Sequence, residues 1–263
     1  MDFATILGIV MALGAIGFSI LHAPGGAANF RFFVNMEAFL VVLGGTFCAL
    51  LVNYPWARVW GLRKVLKKVL MSTGEDTSQL VSTFVELTKK ARQGGILSIE
   101  ADVKNIKDDF MRRGLQLAID GQDKDFIQNM LETEIGFIRE RHKVGAEIFN
   151  ALGTYSPALG IIGTVMGMML MLGTIDDIAT VPTKMATALA AAFFGLGLGY
   201  LVFLPMAGKL KNRSEEELLV KEIVIRGVLL LQTGAAPSAI ESNLKAYLEP
   251  AKRAQIKTTT AAA

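Results

Sequence analysis

Residues 149–175 read FNALGTYSPALGIIGTVMGMMLMLGTI, a stretch without a single Lys, Arg, Asp or Glu. A helix needs about 20 apolar residues to cross the hydrocarbon of a bilayer, so this run is long enough to span. Three more such runs lie at 3–22, 36–56 and 184–207, and none carries a charged residue in its middle. They stand in two pairs, with the charged segment 57–148 between the pairs. The expected fold is all-α: a polytopic membrane protein with four transmembrane helices and a helical cytoplasmic domain. The expected division is a first span at 1–22, an outer loop at 23–35, a second span at 36–56 and the cytoplasmic domain at 57–148. A third span at 149–175, an outer loop at 176–183, a fourth span at 184–207 and cytoplasmic helices with a tail at 208–263 complete it.

A mean hydropathy of +0.42 is too high for an ordinary soluble domain. The first run is read as a retained span rather than a signal peptide. Only Met1-Asp2-Phe3 precedes it, with no basic region, and no small-residue cleavage site stands before Pro24. The single cysteine, Cys48, lies inside an apolar run and can form no intrachain disulfide; it is expected to be a small buried residue. His22 and His142 are far apart in sequence with no Cys or His cluster near either, so neither a metal site nor a cofactor is expected. Basic residues set the orientation. Arg58, Arg63, Lys64, Lys67 and Lys68 follow the second run, and Lys209, Lys211 and Arg213 follow the fourth. The 23–35 connection has only Arg31, and the 176–183 connection has Asp176 and Asp177. Both termini and the 57–148 segment are therefore expected in the cytoplasm, with the two short connections facing outward. No dense basic patch with interleaved aromatics is present, which argues against nucleic acid as a partner.

The aqueous parts read as helices. Val59, Leu62, Leu66 and Leu70 recur at helical spacing from Arg58 to Met71, and Ser72-Thr73-Gly74 breaks the pattern. Thr77 or Ser78 is suited to cap a helix carrying Leu80, Phe84 and Leu87, and Gln93-Gly94-Gly95 to turn after it. Ser98 is expected to N-cap the next helix, with Glu100 and Asp102 in its first turn, where the helix dipole favours acids. Phe110, Leu115 and Leu117 lead to a turn at Gly121-Gln122-Asp123, and a helix from about Asp123 runs toward the third span. After the fourth span an amphipathic helix covers 212–231. Thr233-Gly234-Ala235-Ala236-Pro237 ends it, Ser238 is expected to cap a short helix, Pro250 to stop that helix, and Lys257 to Ala263 to form a disordered tail.

The third and fourth spans are rich in small residues. Gly160, Gly163 and Gly167 on one, and Gly195 and Gly199 on the other, follow the small-xxx-small spacing that lets helix backbones approach closely. The pattern fits packing within one chain; with two such spans, association with another copy or a partner helix is the favoured reading. Pro157 lies inside the third run and Pro205 near the end of the fourth. Each removes a backbone hydrogen bond, which produces either a harmless kink or a deformable stretch facing a pore, and the residues alone favour neither.

The stretch Tyr155-Ser156-Pro157-Ala158-Leu159-Gly160-Ile161-Ile162-Gly163-Thr164-Val165-Met166-Gly167 resembles the third span of the flagellar stator A subunits, the MotA/PomA family of the MotA/TolQ/ExbB superfamily. Phe203-Leu204-Pro205-Met206-Ala207 resembles the end of that family's fourth span, and Ala91-Arg92-Gln93-Gly94-Gly95-Ile96-Leu97-Ser98-Ile99-Glu100 its charged loop. Glu37 and the terminal Gly234…Pro237…Ile240-Glu241…Leu244…Leu248 pattern also match, so the likeness covers nearly the whole chain. The resemblance implies a pentamer of this chain around two copies of a single-span B subunit (MotB/PomB-like), embedded in lipid and engaging a FliG-like rotor switch protein. The third and fourth spans would line the passage. The B subunit would bring the membrane aspartate that these spans lack. Arg92 and Glu100 would face the rotor; read without the family, they are two charges on a solvated helical hairpin. Pro157 and Pro205 would permit conformational coupling. The transported ion is expected to be the proton. In sodium-driven relatives hydroxyls on both pore-lining spans help hold the cation, whereas here Thr164 supplies one and the matching fourth-span positions are Ala191 and Ala192.

Two other functions compete. An energiser of the ExbB/TolQ type would pass the same ion flow to an outer-membrane partner, but such proteins usually have fewer spans and lack the Arg92/Glu100 loop. A membrane enzyme would need chemistry in 57–148, where no nucleophile–base pair, phosphate loop or metal cluster is evident, so no enzyme activity is expected.

Overall fold

The computed structural model describes residues 3–61, 77–248 and 250–253. Among the described residues every regular element is a helix. Helix α1 covers Phe3–His22. A turn of 3-10 helix at Gly26–Asn29 leads into α2, Phe30–Phe33. Helix α3 covers Met36–Asn53 and is widened by a π turn at Leu40–Gly44. Asn35 caps it by accepting from the Ala38 N–H at 3.0 Å. Although the apolar run reaches 56, α3 stops at Asn53. Tyr54 is extended (φ −126°, ψ 141°), as a residue before proline prefers, and Pro55 separates α3 from α4, Trp56–Trp60. The segment between the second and third spans holds α5 (Thr77–Gly94), a 3-10 turn (Ile96–Ile99), α6 (Glu100–Lys104) and α7 (Asp109–Ile119). Two long helices follow: α8, Lys124–Leu172, of 49 residues, and α9, Val181–Gln232, of 52 residues with a π turn at Gly197–Phe203. Helix α9 begins before the apolar run at Lys184. Pro182 sits in its first turn, where a missing N–H costs nothing. The short helices α10 (Pro237–Lys245) and α11 (Pro250–Arg253) close the described chain. Helices α1, α3, α8 and α9 are the four long and apolar enough to cross a membrane.

The helices form two compact units, Met1–Ser72 with His142–Asn212, and Thr73–Arg141 with Arg213–Ala263. In the first unit one cluster joins Leu50, Phe149, Leu152 and Met206, and another joins Ala38, Val42, Ala190 and Ala191. Helix α1 buries no residue there. The second unit has a larger core that includes Phe84, Leu115, Ile127, Leu131, Ile223, Ile240 and Leu244. Helix α5 feeds it through Val81, Phe84, Val85 and Thr88, one helical face at i, i+3, i+4 and i+7. Phe84 is fully buried against Gly227, and burying such a ring stabilises by about 1.5–3 kcal/mol. Asp108, not singled out in the sequence, caps α7 by accepting from the Met111 N–H at 2.6 Å. Gly121 (φ 75°) and Gly234 (φ 69°) end α7 and α9 in the left-handed conformation. The bonds from Gln122 N to Leu117 O and from Ala235 N to Leu230 O, both 3.1 Å, complete these two helix ends.

Several local expectations are corrected. Ser98 is not an N-cap: it sits within the 3-10 turn, and its hydroxyl reaches the carbonyls of Gly95 (2.7 Å) and Lys90 (3.1 Å), tying the turn to α5. Ser238 lies inside α10, whose N-cap is Ala236 and whose first position is Pro237, already fixed at a helical φ. Pro250 opens α11 rather than stopping α10, which has ended at Lys245. Cys48 is exposed, because it falls on the face of α3 turned away from the other spans of its own chain. Leu62, Leu66 and Leu70, the break at Ser72-Thr73-Gly74, the basic residues Arg63, Lys64, Lys67 and Lys68, and the tail from Lys257 lie outside the described residues.

Candidate functional site

In the first unit α8 and α9 run against each other with almost no side chain between their backbones. A Cβ added to Gly195 would stand 2.7 Å from Ser156 O and 2.8 Å from Gly160 Cα. One on Gly160 would stand 3.0 Å from Ala191 O. Gly163 faces the Ala191 methyl and Gly167 the Ala188 methyl, each 2.6 Å from where its own Cβ would be. Gly199 faces the ring of Pro157. All five glycines therefore meet partners inside one chain. The close approach of α8 and α9 accounts for these contacts within one chain.

Hydroxyls tie the same seam. Ser156, fully buried, donates to Gly195 O at 3.0 Å. The Thr164 hydroxyl lies within reach of Gly160 O (3.0 Å) on its own helix and Ala188 O (3.1 Å) on the other. Other polar contacts close the ends of the spans. Asn35 donates to the Thr187 hydroxyl at 2.7 Å, Asn53 to the Tyr155 hydroxyl at 3.0 Å, and Lys184 to the Thr174 hydroxyl at 2.6 Å. Sequence reasoning did not single out Ser156, Asn35, Asn53 or Thr187. The available signal was simply that each is a polar residue in or beside an apolar run, where an unmet hydrogen bond is costly.

The two prolines sit at different levels of the seam: Pro157 packs against Gly199, whereas Pro205 follows Leu204, which packs against Gly153. Pro157 is inside α8 and cannot donate to Gly153 O. Gly199, in the π turn of α9, lies against that carbonyl: an added Cβ would be 2.9 Å from it. Pro205 stands just beyond that π turn, separated from its last residue, Phe203, by Leu204. Of the positions proposed for ion selectivity, Ala191 is only 1% exposed and packs under Gly163. Ala192 is half-buried, and Thr164 is half-buried with its proton engaged by carbonyls. Exposed on the spans are apolar side chains such as Ile161, Val165 and Met169 on α8 and Leu189 and Leu196 on α9.

The charged pair of the loop belongs to the second unit. Arg92 is exposed in the last turn of α5. Glu100 opens α6 and accepts from Lys104 at 2.8 Å; this hydrogen bond and the lysine's charge hold its carboxyl below the usual range. Among the described residues no group of three or more His, Cys, Asp or Glu is placed to hold a metal ion.

Residues 102–223 match the MotA/TolQ/ExbB proton channel family. The chain is 35% identical over 254 residues to the chemotaxis protein PomA of Vibrio alginolyticus, covering 97% of this chain and 98% of that protein. It is 32% identical over 253 residues to motility protein A of Bacillus subtilis, covering 96% and 92% of the two. The fold superposes on a chain of the flagellar MotAB stator complex from Bacillus subtilis with a TM-score of 0.89 at 30% identity, covering 96% of this chain and 98% of that one. With likeness running through all four spans and the helical segment between them, the chain belongs to the MotA/TolQ/ExbB proton channel family, in its MotA/PomA branch.

Proposed function

We propose that the chain is the A-type subunit of an ion-driven flagellar stator. Five copies surround two copies of a single-span B-type subunit and turn a FliG-like rotor switch protein. The observation that carries this reading is the character of the α8–α9 seam. It is closed by backbone contacts, and neither 150–175 nor 185–208 contains an Asp, Glu, Lys, Arg or His. An ion crossing hydrocarbon needs a polar group to hold it, so the carboxylate comes from the partner. Protonation neutralises that carboxylate and changes its contacts with the ring of α8 and α9 around it. The membrane potential supplies about 2.3 kcal/mol per charge for each 100 mV. Arg92 and Glu100 are the rotor-facing charges, and Pro157 with Pro205 allows the spans to deform during the step.

Proton coupling suits these residues. Sodium needs oxygen ligands to replace its hydration shell. Ala192 offers a methyl and Ala191 is packed under Gly163, so of these three positions only Thr164 has a side-chain oxygen to offer. The orientation follows from Lys209, Lys211 and Arg213 at one end of the fourth span and Asp176 and Asp177 near its other end: both termini are cytoplasmic in the bacterial inner membrane.

The test is reconstitution in liposomes under an imposed potential. The chain alone is expected to pass no ions, and co-reconstitution with a B-type subunit to open the path. Ion flux through the chain alone would refute the proposal. In cells, deletion is expected to abolish swimming while leaving flagella assembled. Normal swimming with loss of an outer-membrane uptake function would favour the ExbB/TolQ-like energiser instead.

A further inference from the structure

At one end of the second unit the C-terminal ends of α5, α7 and α9 meet around a cleft of about 390 Å³. Ala91, Ile96, Ala118 and Leu231 give it apolar walls, and Arg92 and Gln232 also line it. A cavity near the lower end of the roughly 300–1,000 Å³ range of ligand sites suits one or two side chains better than a cofactor. Two polar groups give it chemical direction. The neighbouring lysines are paired, Lys90 with Asp102 at 2.9 Å and Lys104 with Glu100 at 2.8 Å, whereas Arg92 has no ion pair among the described residues. The Gln232 amide donates to Gln122 O, but its Oε1 is buried with no partner among the described residues. The cleft is thus an apolar socket with a free cation in its lining.

We propose that this cleft is the socket by which the stator grips its rotor: one apolar side chain of a rotor helix enters it while a neighbouring carboxylate pairs with Arg92. This rests on the rotor reading of Arg92 and adds an anchor to it. Exposed charge pairs contribute little affinity and are screened by salt. Binding energy at interfaces concentrates on anchors that fill desolvated pockets, with charges giving orientation and speed. A socket next to Arg92 supplies the anchor that the charges by themselves lack.

The experiment measures how long tagged stator units dwell at the motor in swimming cells. Three changes block the cleft. Ala91→Leu and Ile96→Trp fill it genetically. Ala91→Cys in a Cys48→Ala background is modified with a maleimide after assembly, so a folding defect cannot imitate the effect. Each is expected to shorten the dwell about tenfold, the loss typical of removing an interface anchor. Ion flux through the complex with its B-type partner is expected to stay unchanged. If the maleimide-modified protein dwells normally while Arg92→Glu shortens the dwell, the socket is refuted and the charge contact stands. If Arg92→Glu also dwells normally, the rotor reading of this surface fails, and the socket with it.

Discussion

Gly195→Ala tests the α8–α9 seam most directly. The added methyl would lie 2.7 Å from Ser156 O, 2.8 Å from Gly160 Cα and 3.2 Å from Gly160 N. All three are backbone atoms, so no side chain can swing aside. Carbon contacts relax at about 3.5–4.0 Å, so the helices must part locally by roughly 1 Å. Overpacking of this kind costs about 1–3 kcal/mol. The same movement stretches the Ser156–Gly195 hydrogen bond, now 3.0 Å, and forfeits about 0.5–1.5 kcal/mol more. Alanine's better helix propensity returns up to about 1 kcal/mol. The net expectation is a loss of about 0.5–4.5 kcal/mol. Gly197→Ala is the internal control. It lies two residues away on the same helix, and its added Cβ meets nothing within 4 Å. Thermal unfolding of the purified stator complex in detergent reads both. Gly195→Ala is expected to lower the midpoint and Gly197→Ala to leave it unchanged or raise it. Equal midpoints for Gly195→Ala and the parent would show that the seam is looser than these contacts require, and the reasoning would fail.

The remaining predictions concern motion and the ion. Pro157→Ala restores a donor for Gly153 O, and Pro205→Ala returns an N–H beside the π turn; both variants are expected to assemble but to generate less stall torque in tethered cells, and full torque in both would reduce the prolines to packing features. Swimming speed at fixed pH and membrane potential is expected to be independent of external sodium; a speed that falls to zero on sodium removal and recovers on its return would overturn proton coupling.

The spans were legible because crossing hydrocarbon imposes a length and a composition that nothing else in the chain satisfies. The absence of a charge in the middle of all four runs was equally legible, and the proposal that a partner brings the ion-binding group rests on it. Helix ends were less so. Ser98 and Ser238 have the right side chain for a cap, but capping depends on the backbone angles of one residue. In both cases the chain had entered its turn earlier, through Gly95 (φ 79°) and through Pro237. Asp108 does cap, and nothing in its immediate sequence set it apart from its neighbour Asp109.

The sequence by itself determined that α8 and α9 carry small residues at close-packing spacing, because period and residue size are local properties. It could not determine what those residues meet. Gly160, Gly163, Gly167, Gly195 and Gly199 have the same spacing whether they face a second copy, a partner helix or each other. Only the tertiary structure decided that they face each other, by bringing Ser156 O to Gly195 and Pro157 to Gly199. The cleft beside Arg92 was hidden for the same reason. Its walls come from Ala91, Ala118 and Leu231, which lie far apart in the chain, and only the packing of three helix ends brings them to one place.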